Sequence, residues 1–371
     1  MVAEMAQSPL IMLAAGGTGG HLFPAEALSH ALHARGARVM LMTDTRAAAY
    51  AGSFPAEAVH AVPAATPSGR SPLKMAGALL KLAQGTFAAR RVIGRVKPAV
   101  LVGFGGYPTV PPVLGASLAG VRTVIHEQNA VMGRANRFLA GRATLIATGF
   151  AEVGGVAEPL RAKCRHVGNP VRPAVLEAAR RDYDAPGEGI IRLLVFGGSQ
   201  GARVMADIVP QAVQLLTAAE RERLAIVQQA RAEDDGRVRG IYDGLGIRAT
   251  ISPFFKDLPA QMAASHLVIG RSGASTVAEL TVIGRPAILV PLPGSLDQDQ
   301  AANAAFLEKA GGAMRILQPD FTPQRLAAEL SRMIAGPAHL TAMAANAKSA
   351  GIPDAADRLA DLVIATAPSQ N

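Results

Sequence analysis

The chain has 371 residues, half of them hydrophobic, with one cysteine, no tryptophan and a formal net charge of +9 from 37 basic and 28 acidic side chains. That length suits about two or three domains, and the lone Cys164 excludes an internal disulfide and fits a reducing compartment. No basic n-region leads into a cleavable apolar stretch and no apolar run reaches bilayer length, so a soluble cytoplasmic protein with an anionic partner is expected.

In chain order, apolar β-type runs near 10–15, 38–43, 99–103, 122–126 and 143–147 alternate with Ala-rich helical segments. A second set follows near 190–196, 224–228, 249–252, 266–270, 286–290 and 313–317. These runs are continuously apolar, as parallel strands covered on both faces must be. Helices between them imply right-handed crossovers and doubly wound sheets. Pro24 is placed in the first turn of a helix ending at Gly36, and Ser71-Pro72 and Thr322-Pro323 read as N-cap and first helical residue. The turn-rich Gly168-Asn169-Pro170-Val171-Arg172-Pro173 reads as a hinge, 180–189 as a polar loop, and the tail after Ala365 as frayed.

Two glycine clusters follow apolar strands about half a chain apart: Gly16-Gly17-Thr18-Gly19-Gly20-His21 and Gly197-Gly198-Ser199-Gln200-Gly201-Ala202. Strand, glycine loop and helix together aim backbone N–H groups at a phosphate, and the helix dipole favours its charge. Two copies predict two similar α/β halves facing each other across a cleft that holds a phosphorylated ligand. Two more loops sit at strand ends, Gly105-Gly106-Tyr107 and Arg271 to Glu279, on the edge where open α/β sheets bind ligands. Neither nucleotide fingerprint fits: Leu22 occupies the third glycine position of a dinucleotide loop, and no Walker string is present. An oxidoreductase is a weaker reading for that reason, with Asp44 as the sole acid in place for a ribose. A nucleic-acid binder is disfavoured because aromatics are few.

Together the strings GGTGGH (Gly16 to His21), Gly105 to Tyr107, HEQN (His126 to Asn129), VGNPVR (Val167 to Arg172), GGSQGA (Gly197 to Ala202), Arg271 to Glu279 and Ile352 to Ala356 resemble the MurG family of peptidoglycan N-acetylglucosaminyltransferases over nearly the whole chain. The resemblance implies a GT-B fold of two Rossmann-like doubly wound domains: 1–170, rejoined by a terminal helix in 350–371, and 171–349. It implies inverting transfer of GlcNAc from UDP-GlcNAc to the MurNAc 4-hydroxyl of lipid I, giving lipid II, at the cytoplasmic face of the inner membrane. A UDP-sugar epimerase of the same fold is the rival chemistry. Other cell-wall synthesis proteins are compatible partners.

By motif position, the resemblance assigns donor contacts to Thr18, Gly19, Gly20, Asn129, Arg172, Ser199, Gln200, Phe255, Ala274, Ser275, Thr276, Val277, Ala278, Glu279 and Gln300. Glu279 would take the ribose hydroxyls and Phe255 the uracil through backbone groups. Gly105, Gly106 and Tyr107 form the acceptor-side loop. Two departures from the family pattern, Asp299 before Gln300 and the Pro-rich Pro108 to Pro112, leave sugar and acceptor positioning less defined than the uridine site. The acceptor hydroxyl needs a base. His21, His126 and Glu127 are the candidates, with His21 preferred because it closes the first loop, and the other two able to brace loops instead. No metal or other cofactor is expected, since helix N-termini and Arg172 can neutralise a leaving diphosphate. The strings Asp182-Tyr183-Asp184 and Asp297-Gln298-Asp299 are the only metal-type patterns. Lys74, Leu80, Lys81, Phe87, Arg91 and Arg95 place an apolar stripe beside basic residues on one helix, as in membrane-surface helices.

Overall fold

The computed structural model describes residues 8–16, 19–45, 54–65, 72–198, 201–295 and 298–368, the side chains of 72–74 excepted. The chain forms two compact units, Met1–Arg172 with Pro353–Asn371, and Pro173–Ile352.

The first unit runs β1 (Leu10–Ala14), α1 (Gly19–Ala34), β2 (Arg38–Thr43), β3 (Val59–Ala61), α2 (Pro72–Val96), β4 (Val100–Gly103), α3 (Val110–Leu118), β5 (Arg122–Glu127), α4 (Arg134–Leu139), β6 (Leu145–Thr148) and β7 (Cys164–His166). Its seven strands are all parallel, in the order β3-β2-β1-β4-β5-β6-β7. The order reverses between β1 and β4, and the crevice outside the carboxyl ends of such a pair is where open α/β sheets hold ligands. Both glycine loops of this half, after β1 and after β4, sit at that switch point.

The second unit begins with α5 (Pro173–Ala178), β8 (Ile191–Phe196), α6 (Arg203–Gln214), α7 (Ala218–Glu222), β9 (Leu224–Gln229), α8 (Ala232–Gly244) and β10 (Arg248–Ser252). It continues with α9 (Leu258–Ala264), β11 (Leu267–Gly270), α10 (Ala274–Ile283), β12 (Ala287–Leu289), α11 (Asp299–Lys309), β13 (Ala313–Arg315), α12 (Pro323–Ala335) and α13 (Pro337–Ser349). Its six parallel strands are ordered β10-β9-β8-β11-β12-β13, so β8 and β11 form the equivalent switch point below the other two glycine loops.

Aliphatic side chains from both faces of each sheet are removed from water, which drives burial of the continuous apolar runs. The last helix, α14 (Ala355–Thr366), packs Leu359, Ala360 and Val363 into the first unit's core. Arg35 bonds Asp357 and Asp361 at 2.7 Å each, and Arg122 donates to the Thr366 carbonyl at 2.9 Å.

The strands predicted from the apolar runs are all present; the edge strands β3 (Val59-His60-Ala61) and β7 (Cys164-Arg165-His166) are additional, their His and Arg residues interrupting any apolar run. One helix start differs. The helix after the first loop begins at Gly19, so Pro24 lies in its second turn rather than its first. Thr322 caps α12 as expected, its Oγ accepting from the Arg325 N–H at 3.2 Å. Ser71 lies outside the described residues. The helix α2 runs unbroken through Gly77 and Gly85. Gly85 is required there: a Cβ would strike the Pro63 carbonyl oxygen. Gly115 likewise lets α3 approach the backbone of α2, where a Cβ would meet Arg90 N at 3.0 Å and Thr86 O at 3.1 Å.

Candidate active site

In the first unit the site is built on three loops at the carboxyl ends of β1, β4 and β5. His21 lies in the first turn of α1 and is half-buried. Its ring lies beside the second glycine loop. Gly105 and Gly106 have φ of +79° and +71°, a region open mainly to glycine. A Cβ on Gly106 would come 3.1 Å from His21 Nε2, and one on Gly105 3.7 Å from Cε1. Gly106 therefore lets the loop close against the imidazole, while at Gly105 it is the positive φ that calls for glycine. Tyr107 opens a short 3₁₀ turn that leads into α3. Thr18 lies outside the described residues, and Gly20 is exposed beside them.

The four residues of the HEQN string have separate jobs. His126 is fully buried; its Nε2 bonds the Gly168 carbonyl at 3.1 Å and its ring packs 5.7 Å from that of Phe104. Burial holds its pKa down at about 4. Glu127 is 2 % exposed. One carboxylate oxygen accepts from Asn129 N at 2.9 Å and Asn129 Nδ2 at 3.3 Å; the other accepts from Gly133 N and Asn136 Nδ2, both at 2.9 Å. Burial pushes its carboxyl up, and those donors pull it back. Both side chains hold the loop from inside. Gln128 was not singled out from sequence, yet its amide joins His21 Nδ1 at 3.2 Å to the Phe104 carbonyl at 3.0 Å. Asn136 and Asn169 were also missed. Asn169 Nδ2 donates to the Gln128 carbonyl at 2.9 Å, and the space it fills forces glycine at 149, where a Cβ would collide with its amide.

Arg172 ends the first unit, and its guanidinium carbon stands 3.8 Å above the centre of the Phe23 ring on α1. The residue is thus tied to the helix that carries His21.

In the second unit the third loop turns sharply after β8. Gly198 and Gly201 have φ of +89° and +66°, and a Cβ on Gly197 would collide with Ala202. Gln229 at the end of β9 accepts from Gly197 N at 3.0 Å, and Arg231 donates to the Gly201 carbonyl at 3.0 Å. Ser199 and Gln200 lie outside the described residues.

The fourth loop follows β11. Arg271 is buried and donates to the Val290 and Pro291 carbonyls at 3.0 Å and to Gln318 Oε1 at 2.7 Å, so it fixes the chain after β12 rather than facing a ligand. Gly273 caps α10, which carries Ala274, Ser275, Thr276, Val277, Ala278 and Glu279. Ala274, Val277 and Ala278 are buried, and Ser275 and Thr276 half-buried. Glu279 is 7 % exposed, which excludes a solvated helix-face charge. Ser272 Oγ donates to the Gln300 carbonyl at 2.8 Å and Asn303 Nδ2 to the Ser272 carbonyl at 3.1 Å, docking α11 beside the loop. Gln300 Oε1 accepts from Leu292 N at 3.0 Å, so its amide nitrogen is left as the donor. Asp299 caps the Gln300 N–H at 2.7 Å. Phe255 is half-buried after β10, beside the exposed Phe254.

Among the described residues no three His, Cys, Asp or Glu side chains converge as a metal site. Of the two D-x-D strings, Asp184 pairs with Arg192 at 3.3 Å, the Asp182 carbonyl accepts from Arg285 at 3.2 Å, and Asp297 lies outside the described residues.

Away from these loops, α2 buries Gly85, Ala89 and Ile93 and exposes Met75, Leu79, Leu80 and Phe87. Lys81, Arg91 and Arg95 are exposed on the same helix, with the Arg91 guanidinium 5.5 Å from the Phe87 ring centre; the Lys74 side chain lies outside the described residues. Among the described residues no helix is long and apolar enough to cross a membrane.

Sequence models of the Glycosyltransferase family 28 N-terminal domain and C-terminal domain match residues 11–148 and 192–359. A UDP-N-acetylglucosamine–N-acetylmuramyl-(pentapeptide) pyrophosphoryl-undecaprenol N-acetylglucosamine transferase of Methylobacterium nodulans is 63 % identical over 362 residues, 97 % of each chain. This chain belongs to the MurG family of glycosyltransferases. A MurG-family relative of the same name from Nitrobacter winogradskyi is 57 % identical across 98 % of this chain and 99 % of its own. The crystal structure of Acinetobacter baumannii MurG superposes with a TM-score of 0.78 at 27 % identity, covering 96 % of this chain and 99 % of that one. A Listeria monocytogenes putative UDP-N-acetylglucosamine 2-epimerase, 14 % identical with a TM-score of 0.66, shares the fold alone. The two-sheet GT-B architecture expected of the MurG family is thus the one observed.

Proposed function

We propose that this chain transfers GlcNAc from UDP-GlcNAc to the MurNAc 4-hydroxyl of undecaprenyl-pyrophosphoryl-MurNAc-pentapeptide, converting lipid I to lipid II with inversion at the anomeric carbon. The observation that carries the reading is identity of 57–63 % with named transferases over nearly the whole chain, and it favours transfer over epimerisation.

Within that reading the second unit holds the donor. The buried Glu279 accepts the ribose hydroxyls, the backbone near Phe255 holds uracil, and the Gln300 amide nitrogen donates to the sugar. The positive-φ loop at Gly198–Gly201, which includes Ser199 and Gln200, and the N-terminus of α10 face the diphosphate. In the first unit His21 takes the proton of the acceptor hydroxyl, beside Gly105, Gly106 and Tyr107. Thr18, Gly19, Gly20 and Asn129 orient the substrates and Arg172 offsets the charge of the departing UDP. His126 and Glu127 brace the loop. No metal is required in this scheme. The exposed apolar face of α2, with Lys81, Arg91 and Arg95 beside it, meets the anionic inner leaflet on the cytoplasmic side, where lipid I is anchored.

The test is to incubate purified protein with radiolabelled UDP-GlcNAc and a lipid I analogue, with EDTA present in a parallel reaction. Label in the lipid product, unaffected by EDTA, is expected. Formation of UDP-ManNAc without transfer would overturn the reading. His21→Ala is expected to lower kcat by ~10²–10⁴-fold while UDP affinity stays near parental; a fall below about tenfold would make His21 a positioning residue.

A further inference from the structure

We infer that Gln128 is a positioning residue that fixes the tautomer of His21, forcing the imidazole proton onto Nδ1 so that Nε2 is the proton-accepting nitrogen. The inference rests on the reading of His21 as the base. It begins at an atom that has no choice of role. The Phe104 carbonyl oxygen can only accept a hydrogen bond, and Phe104 is itself held in place by its N–H to the Ala14 carbonyl at 2.9 Å. The Gln128 side-chain atom 3.0 Å from that oxygen must therefore be the amide nitrogen, because an amide oxygen there would set two lone-pair atoms against each other. Gln128 is 5 % exposed, so water cannot relieve a wrong orientation. Its backbone is pinned as well, the carbonyl accepting from Asn169 Nδ2 at 2.9 Å.

With the nitrogen directed at Phe104, the Gln128 oxygen faces His21 Nδ1 at 3.2 Å. An amide oxygen is an acceptor only, so Nδ1 must carry hydrogen. In the neutral ring the lone pair then lies on Nε2. That nitrogen adjoins the space a Gly106 side chain would occupy, 3.1 Å from the position of an added Cβ. The order of influence runs from a strand-end carbonyl through one buried amide to the orientation of one ring. In the reaction the acceptor oxygen bonds to the sugar carbon, and its O–H bond breaks as the proton passes to Nε2. The electron pair of the sugar–phosphate bond leaves with UDP. The imidazolium so formed keeps its Nδ1–H on the Gln128 oxygen, which stabilises the new charge.

Two measurements test this, one of them independent of activity. Long-range ¹H–¹⁵N correlation spectra of the ¹⁵N-histidine-labelled parent, with the His21 signals assigned by their loss in His21→Ala, report which ring nitrogen is protonated at a pH where the ring is neutral. A protonated Nδ1 is expected; a protonated Nε2 overturns the proposal without recourse to any variant. In Gln128→Met, a near-isosteric side chain without the acceptor, the spectrum is expected to show both tautomers. Its kcat should fall by at least about tenfold, short of the ~10²–10⁴-fold loss on removing a base outright, with the UDP dissociation constant unchanged. Gln128→Glu keeps an acceptor oxygen toward Nδ1 but turns its second oxygen on the Phe104 carbonyl, so it should retain the Nδ1–H form at a cost in stability. An unmixed Nδ1–H tautomer in Gln128→Met would remove Gln128 from the role. If His21→Ala retains its kcat, the base assignment fails while the tautomer result still stands, so the two failures are distinguishable.

Discussion

Glu127→Gln should cost the fold more than it costs the chemistry. The substitution keeps the shape of the side chain but turns one acceptor oxygen into an NH₂ group. In the parent each oxygen receives one backbone N–H, from Asn129 or Gly133, and one amide N–H, from Asn129 or Asn136. Whichever way the new amide turns, one buried backbone donor faces another donor, and an unsatisfied buried donor costs about 1–3 kcal/mol. Asn136 could flip to offer its oxygen, but its nitrogen would then leave the His126 carbonyl, to which it donates at 3.1 Å. Such relief exchanges one lost bond for another. An opposing gain comes from removing a carboxylate that burial already pushes toward its neutral form. The net expectation is destabilisation by about 2 kcal/mol, read as a lower urea midpoint for the first unit's unfolding at pH 7. A modest fall in kcat, within about tenfold, should accompany it. A variant as stable as the parent with kcat reduced by ~10²-fold or more would refute the bracing role and make Glu127 the base.

Glu279→Ala is expected to weaken UDP and UDP-GlcNAc alike by about 1–3 kcal/mol; calorimetric titration with an unchanged dissociation constant would exclude it from the donor site. Replacing Lys81, Arg91 and Arg95 together by Gln should lower binding to phosphatidylglycerol vesicles by ~1 kcal/mol per residue without changing UDP affinity, and equal co-sedimentation of variant and parent would show that α2 does not meet the membrane. The acid side of stability should carry a histidine signature. His126 titrates near pH 6.5 in the unfolded chain but is held at about 4 by burial, so its contribution is full above pH 6.5 and is lost as pH falls from there through 4. The loss amounts to about 3 kcal/mol, and His126→Gln should flatten the dependence of the urea midpoint between pH 7 and 4.5.

The fold was legible because parallel strands covered on both faces must be continuously apolar, and because glycine loops punctuate the strand ends at which the chain turns into a helix. What stayed hidden is short or non-local. β3 (Val59-His60-Ala61) and β7 (Cys164-Arg165-His166) are short edge strands whose polar and charged residues break any apolar run. Pro24 reads as a first-turn signal, yet α1 already begins at Gly19, so its first turn comes from the glycine loop and Pro24 lies in the second. The site was legible in its loops and much less so in the roles within them. Arg271 stands in a glycine-rich loop yet points into carbonyls of the chain after β12, while Gln229 and Arg231, outside every recognised string, hold the third loop. Those pairings join residues tens of positions apart, which no local spacing reveals.

The HEQN string shows why a motif does not by itself name a base. Its four residues leave β5 in succession, but the last two strand positions, His126 and Glu127, are drawn into the interior, where the tight packing that fixes the loop also shields them from solvent. Burial lowers the basicity of the His126 imidazole and surrounds Glu127 with donors that are already committed to it. Gln128 carries no titratable proton and so attracts no attention as a catalyst, yet it is the member placed between the strand-end carbonyl and His21. A buried amide suits that place better than a carboxylate would. It has a donor for one neighbour and an acceptor for the other, and it adds no charge that would have to be desolvated. In this unit the buried His126 and Glu127 stabilise the loop, and the proposed base is a half-buried histidine in the first turn of a helix, flanked on one side by a neutral amide and on the other by the glycine loop.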